Sequence, residues 1–199
     1  MQDKASQFRN WKDRTNSILG KVMLKHCASR YYNIPNILNQ VSYNPFQRPE
    51  VDGPFSFSIS HSGNMVVCAL SETHQLGIDI ESLAAIDFDP YQEYLSDKEW
   101  MQIKLAMDPN REFLKIWTQK EAVIKADGRG LTLPLKELNP SDSHLKIDKQ
   151  SWYLHQINLQ SNYICHLATD KVLKSQDIKT VDCMDLIINA FIKRPLEAI

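Results

Sequence analysis

Residues 113–131 read Phe113-Leu-Lys-Ile-Trp-Thr-Gln-Lys-Glu-Ala-Val-Ile-Lys-Ala-Asp-Gly-Arg-Gly-Leu131. Phe113, Leu114, Ile116, Trp117, Val123 and Ile124 recur at three- and four-residue spacing, which predicts a helix, and Asp127-Gly128 with Gly130 supplies its stop. Glu121 and Lys125 then lie one turn apart on a single face, with Trp117 one turn further back on the same line. On the helical wheel Glu121 falls at the margin of the apolar arc, beside Leu114 and Trp117. A carboxylate so placed is partly desolvated and needs a cation. Lys125 is one candidate and a metal ion is another, so further acid ligands elsewhere in the chain bear on the choice.

Residues 76–81, Leu76-Gly-Ile-Asp-Ile-Glu81, supply them. Leu76, Ile78 and Ile80 alternate with Gly77, Asp79 and Glu81, the period of a strand with one buried face. Asp79 and Glu81 project from the opposite face, roughly 7 Å apart along the strand, near enough to share one hard divalent ion. Upstream, residues 55–61 alternate again, with Phe55, Phe57 and Ile59 facing inward and Ser56, Ser58 and Ser60 outward. Ser62-Gly63-Asn64 makes a turn and residues 65–70 an apolar return strand, which puts Ser60 and His61 near a hairpin end, open to a ligand.

Three stretches in this order, Phe57-Ser-Ile-Ser-His-Ser62, Gly77-Ile-Asp-Ile-Glu81 and Trp117-Thr-Gln-Lys-Glu-Ala-Val-Ile-Lys125 with its Gly-Arg-Gly-Leu tail, closely resemble the signatures of the 4′-phosphopantetheinyl transferases, in their larger, Sfp-like form. The resemblance covers roughly residues 4–170. It implies transfer of the 4′-phosphopantetheine arm of coenzyme A to a serine of an apo acyl or peptidyl carrier protein, with release of adenosine 3′,5′-bisphosphate. It also implies Mg²⁺ held by Asp79, Glu81 and Glu121, with Lys125 against the pyrophosphate. Glu121 ranks first as the base for the serine proton and Glu99, in Leu95-Ser-Asp-Lys-Glu99-Trp, second. Glu99 equally fits the first turn of a helix, where a carboxylate favours the dipole. Lys120, within the apolar arc, belongs to the Lys-Glu pair of the signature.

For the nucleotide end of coenzyme A, Ser60 and His61 match the family's contacting pair. Arg48, in Gln47-Arg-Pro49, stands where the family usually has Gly-Lys-Pro and keeps the cation, and Lys4 matches a further phosphate contact. Asn16 replaces a basic residue that many relatives place four residues before Gly20. Relatives also carry about one more strand and helix ahead of residue 3.

At 199 residues, 43% hydrophobic and net charge −1, the chain has enough apolar material for a sizeable core. Its charge balance lacks the basic footprint of a nucleic-acid-binding protein. Its four cysteines are scattered without a Cys-x-x-Cys pair, as in a reducing compartment, and no apolar run is long enough to span a membrane, so a cytoplasmic location is expected. Residues 3–30 read as a helix buried through Ile18, Leu19, Val22, Met23 and Cys27, residues 33–54 as mostly loop or extended chain, 93–107 as a second helix, and 132–138, 152–159 and 163–169 as strands. Met184, Ile187, Ile188, Phe191 and Ile192 form a stripe in a last helix over 182–194. The order suggests an α+β protein. By resemblance it is two similar α/β halves, residues 1–86 and 87–199, packed pseudo-symmetrically with the active site between them, acting as a monomer. A coenzyme A- or carrier-binding relative without turnover, and a Mg²⁺-dependent phosphodiesterase or nuclease, are the other readings.

Overall fold

The computed structural model describes residues 11–53, 55–140 and 143–183. Lys4 and all but the first two residues of the helix expected at 182–194 lie outside these. Helix α1 (Trp11–Tyr32) is followed by a short antiparallel pair, β1 (Val41–Tyr43) and β2 (Pro49–Val51), within the stretch expected as mostly loop or extended chain. The hairpin of β3 (Ser56–Ser62) and β4 (Met65–Ser71) turns at Gly63, whose φ of 57° favours glycine. Next come β5 (Leu76–Ser82), a 3-10 turn over Asp89–Tyr94, α2 (Asp97–Leu105), α3 (Pro109–Asp127), and the strands β6 (His144–Ile147), β7 (Gln150–Gln156) and β8 (Tyr163–Thr169).

The main sheet is antiparallel throughout, in the order β5-β8-β7-β6. All seven residues of β5 pair with β8, from Leu76 opposite Thr169 to Ser82 opposite Tyr163. The halves expected as 1–86 and 87–199 are therefore joined through one sheet. One long helix covers each set of antiparallel strands, α1 over β3 and β4 and α3 over β5 and β8, and the mixed helix-and-sheet order is that of an α+β protein.

Local chemistry fixes where the helices begin and end. Ser96 and Glu99 form a reciprocal capping box that starts α2. Asp108 caps α3 ahead of Pro109, and Gly128, at φ 87°, closes it with its N–H on Ile124 O. Apolar residues of α3 and the sheet, among them Val123, Ile124, Trp152 and Leu154, fill one core. The face of β5 carrying Ile78 and Ile80 packs with Val67, Cys165 and Leu167 in another. All four cysteines are free, and burial pushes the Cys165 thiol up to about 12, far from the reactive thiolate.

Three expectations are corrected. Residues 132–138 form two 3-10 turns, over Gly130–Thr132 and Leu135–Glu137, rather than a strand. Leu133, Leu135 and Leu138 are buried there, and such spacing serves a turn as well as an edge. On α1, Ile18 and Val22 are exposed, and the buried line runs through Asn16, Gly20, Leu24 and Cys27. Gly20 sets that line, because a Cβ there would lie 2.6 Å from Ile59 Cγ2. Finally, Ser58 and Ser60 are buried rather than outward, because β5 runs alongside β3.

Candidate active site

The site forms where α3 crosses β5. Gly77, Asp79 and Glu81 share the strand face turned toward the helix. A Cβ on Gly77 would strike the backbone of Ala122 and Ala126, so glycine alone permits this approach. The close crossing lays the turn from Glu121 to Lys125 over Asp79. Lys125 Nζ lies 2.6 Å from Asp79 Oδ1 and 2.9 Å from Ser60 Oγ, and Ser60 donates to the same Asp79 oxygen at 2.8 Å. Ser62 Oγ donates to Glu81 Oε2 at 2.7 Å.

Electrostatics mark the same place. Burial raises the Glu121 carboxyl above the usual range, and Asp79 and Glu81 add to the rise while Lys125 opposes it. Burial likewise raises Glu81, against a Ser62 hydrogen bond that lowers it. Three carboxyls thus face one ammonium. Asp79 Oδ2 is buried without a hydrogen-bond partner among the described residues. An unpartnered oxygen beside two desolvated carboxyls suits a hard divalent cation such as Mg²⁺. The ligands are not drawn into a metal-holding cluster as they stand, since no such group of three occurs among the described residues, and Lys125 serves as the cation of Asp79.

Of the other expected residues, His61 occupies the opposite face of β3 from Ser60 and is half-buried. Arg48 Nη1 donates to Ala126 O at 2.6 Å and Nη2 to Leu76 O at 3.2 Å, tying the end of α3 to the start of β5. It also lines a cavity of about 300 Å³ with Pro49, Phe55, Phe57 and His74. Asn16 donates to Gly63 O at 3.3 Å, bracing the β3–β4 turn.

Glu99 is engaged elsewhere. Its Oε2 accepts from Lys120 Nζ at 2.7 Å, Ser96 N at 2.8 Å and Ser96 Oγ at 2.9 Å. Lys120 also donates to Tyr94 O and Leu135 O, at 3.0 and 2.9 Å, so it clamps α2, the preceding turn and the 130s onto α3. No hydrogen bond or ion pair links Glu99 to Asp79, Glu81 or Glu121 among the described residues. Trp117 packs edge-on against Tyr91, 5.0 Å between ring centroids.

Sequence reasoning missed Ser62, Gly77 and the Lys120–Glu99 pair. A glycine inside an alternating strand signals close backbone approach, and serine at every second position of β3 was the other available signal. Nothing local marks a pair 21 residues apart.

Comparison with known proteins agrees with this geometry. The chain is 36% identical over 131 residues to the 4′-phosphopantetheinyl transferase gsp of Aneurinibacillus migulanus, covering 65% of this chain and 55% of that protein. It is 32% identical over 139 residues to the 4′-phosphopantetheinyl transferase Sfp of Bacillus subtilis (strain 168), covering 67% and 61%. Against the 4′-phosphopantetheinyl transferase psf-1 of Bacillus pumilus the identity is 26% over 195 residues, covering 92% and 83%. The family model of the 4′-phosphopantetheinyl transferase superfamily matches residues 75–178, more than half of the chain and the span that holds β5, α3 and β8. The strand and helix that build the acidic site are thus the elements the family model matches, and this chain belongs to the 4′-phosphopantetheinyl transferase superfamily.

Proposed function

We propose that this protein transfers the 4′-phosphopantetheine arm of coenzyme A to a serine of an apo acyl or peptidyl carrier protein, releasing adenosine 3′,5′-bisphosphate. The observation that carries the reading is the convergence of Asp79, Glu81, Glu121 and Lys125 where α3 crosses β5, in a chain of this superfamily. In the reaction the serine oxygen forms a bond to the phosphorus nearest pantetheine, the bond from that phosphorus to the bridging pyrophosphate oxygen breaks, and the serine proton leaves to a base. Such chemistry depends on positioning and on charge neutralisation.

Glu121 is the base. It lies one helical turn from Lys125, over Asp79, and burial raises its carboxyl above the usual range. Glu99, held by Lys120 and Ser96, is a structural residue in this reading. Lys125 stabilises the charge that develops on the leaving bisphosphate. Asp79, Glu81 and Glu121 would hold Mg²⁺, which when bound neutralises pyrophosphate charge. His61 and Arg48 are assigned to the nucleotide end, whereas Ser60, on the opposite face of β3 from His61, is held between Asp79 and Lys125. In line with the Sfp-like form it resembles, the protein is taken to work as a monomer. No helix among the described residues is long and apolar enough to cross a membrane, in keeping with a cytoplasmic enzyme.

Coenzyme A carrying a fluorophore on its thiol, incubated with the protein and a panel of apo carriers with and without chelator, tests this. A carrier that becomes fluorescent only when Mg²⁺ is present supports the reading. Absence of label on every carrier, with the protein folded and Mg²⁺ supplied, overturns it.

A further inference from the structure

β3 and β5 lie side by side without a backbone ladder, and serine hydroxyls bridge them instead. Ser58 Oγ accepts from Ile78 N and Ser62 Oγ from Ser82 N, each at 3.0 Å. The offset of 20 residues is the same at both points, so the strands run parallel. Two residues of extended chain advance about 7 Å on either strand, so Ser60 and Ser62 meet Asp79 and Glu81 in step.

Ser62 has one proton to give. Its oxygen already accepts from Ser82 N, and its nearest acceptor is Glu81 Oε2 at 2.7 Å, against 3.5 Å for Ser82 Oγ. We infer that Ser62 is a positioning residue for the cation site: its hydroxyl, fixed by the Ser82 N–H, holds one Glu81 oxygen and aims the carboxylate at the metal. Ser60 does the same for Asp79, holding Oδ1 while Oδ2 stays unpartnered, but it also receives Lys125. Ser62 hydrogen-bonds to neither Lys125 nor Asp79 among the described residues, so its substitution separates the positioning effect from the Lys125–Asp79 pair. The inference rests on the transferase reading only in taking Glu81 as a metal ligand.

The test is Mn²⁺ binding by the full chain without coenzyme A, followed through the electron paramagnetic resonance signal of free Mn²⁺. Loss of a partner behind a ligand weakens metal binding by roughly tenfold or more, which is the change expected for Ser62→Ala and for Ser62→Cys, a poor donor of similar volume. Ser62→Thr keeps the hydroxyl and should bind within about twofold of the wild type on the same ground. Wild-type affinity in both Ser62→Ala and Ser62→Cys, a Ser62→Thr variant as weak as Ser62→Ala, or a wild-type chain that takes up no Mn²⁺ would each overturn the inference. A wild-type chain that binds Mn²⁺ but labels no carrier sinks the transferase reading, while the ratio between variants still judges Ser62.

Discussion

Two of the three lysines of α3, Lys120 and Lys125, lie five residues apart, each is paired with a carboxylate from another element, and the pairs differ in what surrounds them. Lys120 and Glu99 are 0% and 7% exposed, one charge against one, with the spare ammonium donors on backbone carbonyls. Lys125 is 30% exposed above an Asp79 that is 5% exposed, and Glu81 and Glu121 add two further carboxyls. Each pair leaves one buried carboxylate oxygen unpartnered. The distinction lies in charge balance and access. A closed pair of equal charges fixes geometry, whereas an open site with surplus carboxyls has the charge and access for the cation proposed above.

Substitution should separate the two pairs. Lys120→Met strands Glu99 in the interior and should destabilise the fold by about 3–5 kcal/mol in urea denaturation. A smaller loss would mean that Glu99 reaches water or a proton at little expense. Lys125→Met should cut transfer by about 10²–10³-fold and cost the fold less than Lys120→Met does, because Lys125 is partly open to water. Equal losses in turnover and in coenzyme A affinity would reduce Lys125 to a binding residue. Gly77→Ala forces α3 off β5 and should cost about 1–3 kcal/mol with a parallel loss of transfer, since it disturbs the crossing that assembles the site. An active, fully stable Gly77→Ala variant would contradict the close approach.

The smallest effect concerns acid. Burial pushes the His166 imidazole, bonded to Thr118 Oγ1 at 2.7 Å, down to about 4. Between its ordinary value near 6.5 and about 4, the unfolded chain takes up a proton that the folded chain refuses. This contribution to stability is therefore complete above 6.5 and is lost as pH falls toward 4. His166→Gln should flatten the fall in thermal midpoint over that window, and an unchanged slope would assign it to other groups.

Periodic features were legible in the sequence. The alternation of β5, the limits of β8 and the Gly128 stop of α3 all follow from local pattern. Family membership followed from the motifs, whereas Lys125, read as a cation for Glu121 or for the pyrophosphate, pairs with Asp79 of the neighbouring strand. What escaped depends on contacts distant in the chain. The serine face of β3 reads as outward until β5 is known to lie beside it, and the buried line on α1 is set by how closely Gly20 approaches Ile59. Glu99 fits a helix cap and a base equally well until Lys120, on another helix, reaches it.

As proposed above, the crossing of α3 over β5 is a phosphopantetheine-transfer site. Intact-mass spectrometry of apo carrier proteins, incubated with coenzyme A, Mg²⁺ and either the wild-type chain or Asp79→Asn, tests it most directly. The account predicts that a carrier gains the mass of one phosphopantetheine arm with the wild type and none with Asp79→Asn. Carriers left unmodified by the wild type, or modified equally by Asp79→Asn, would contradict it.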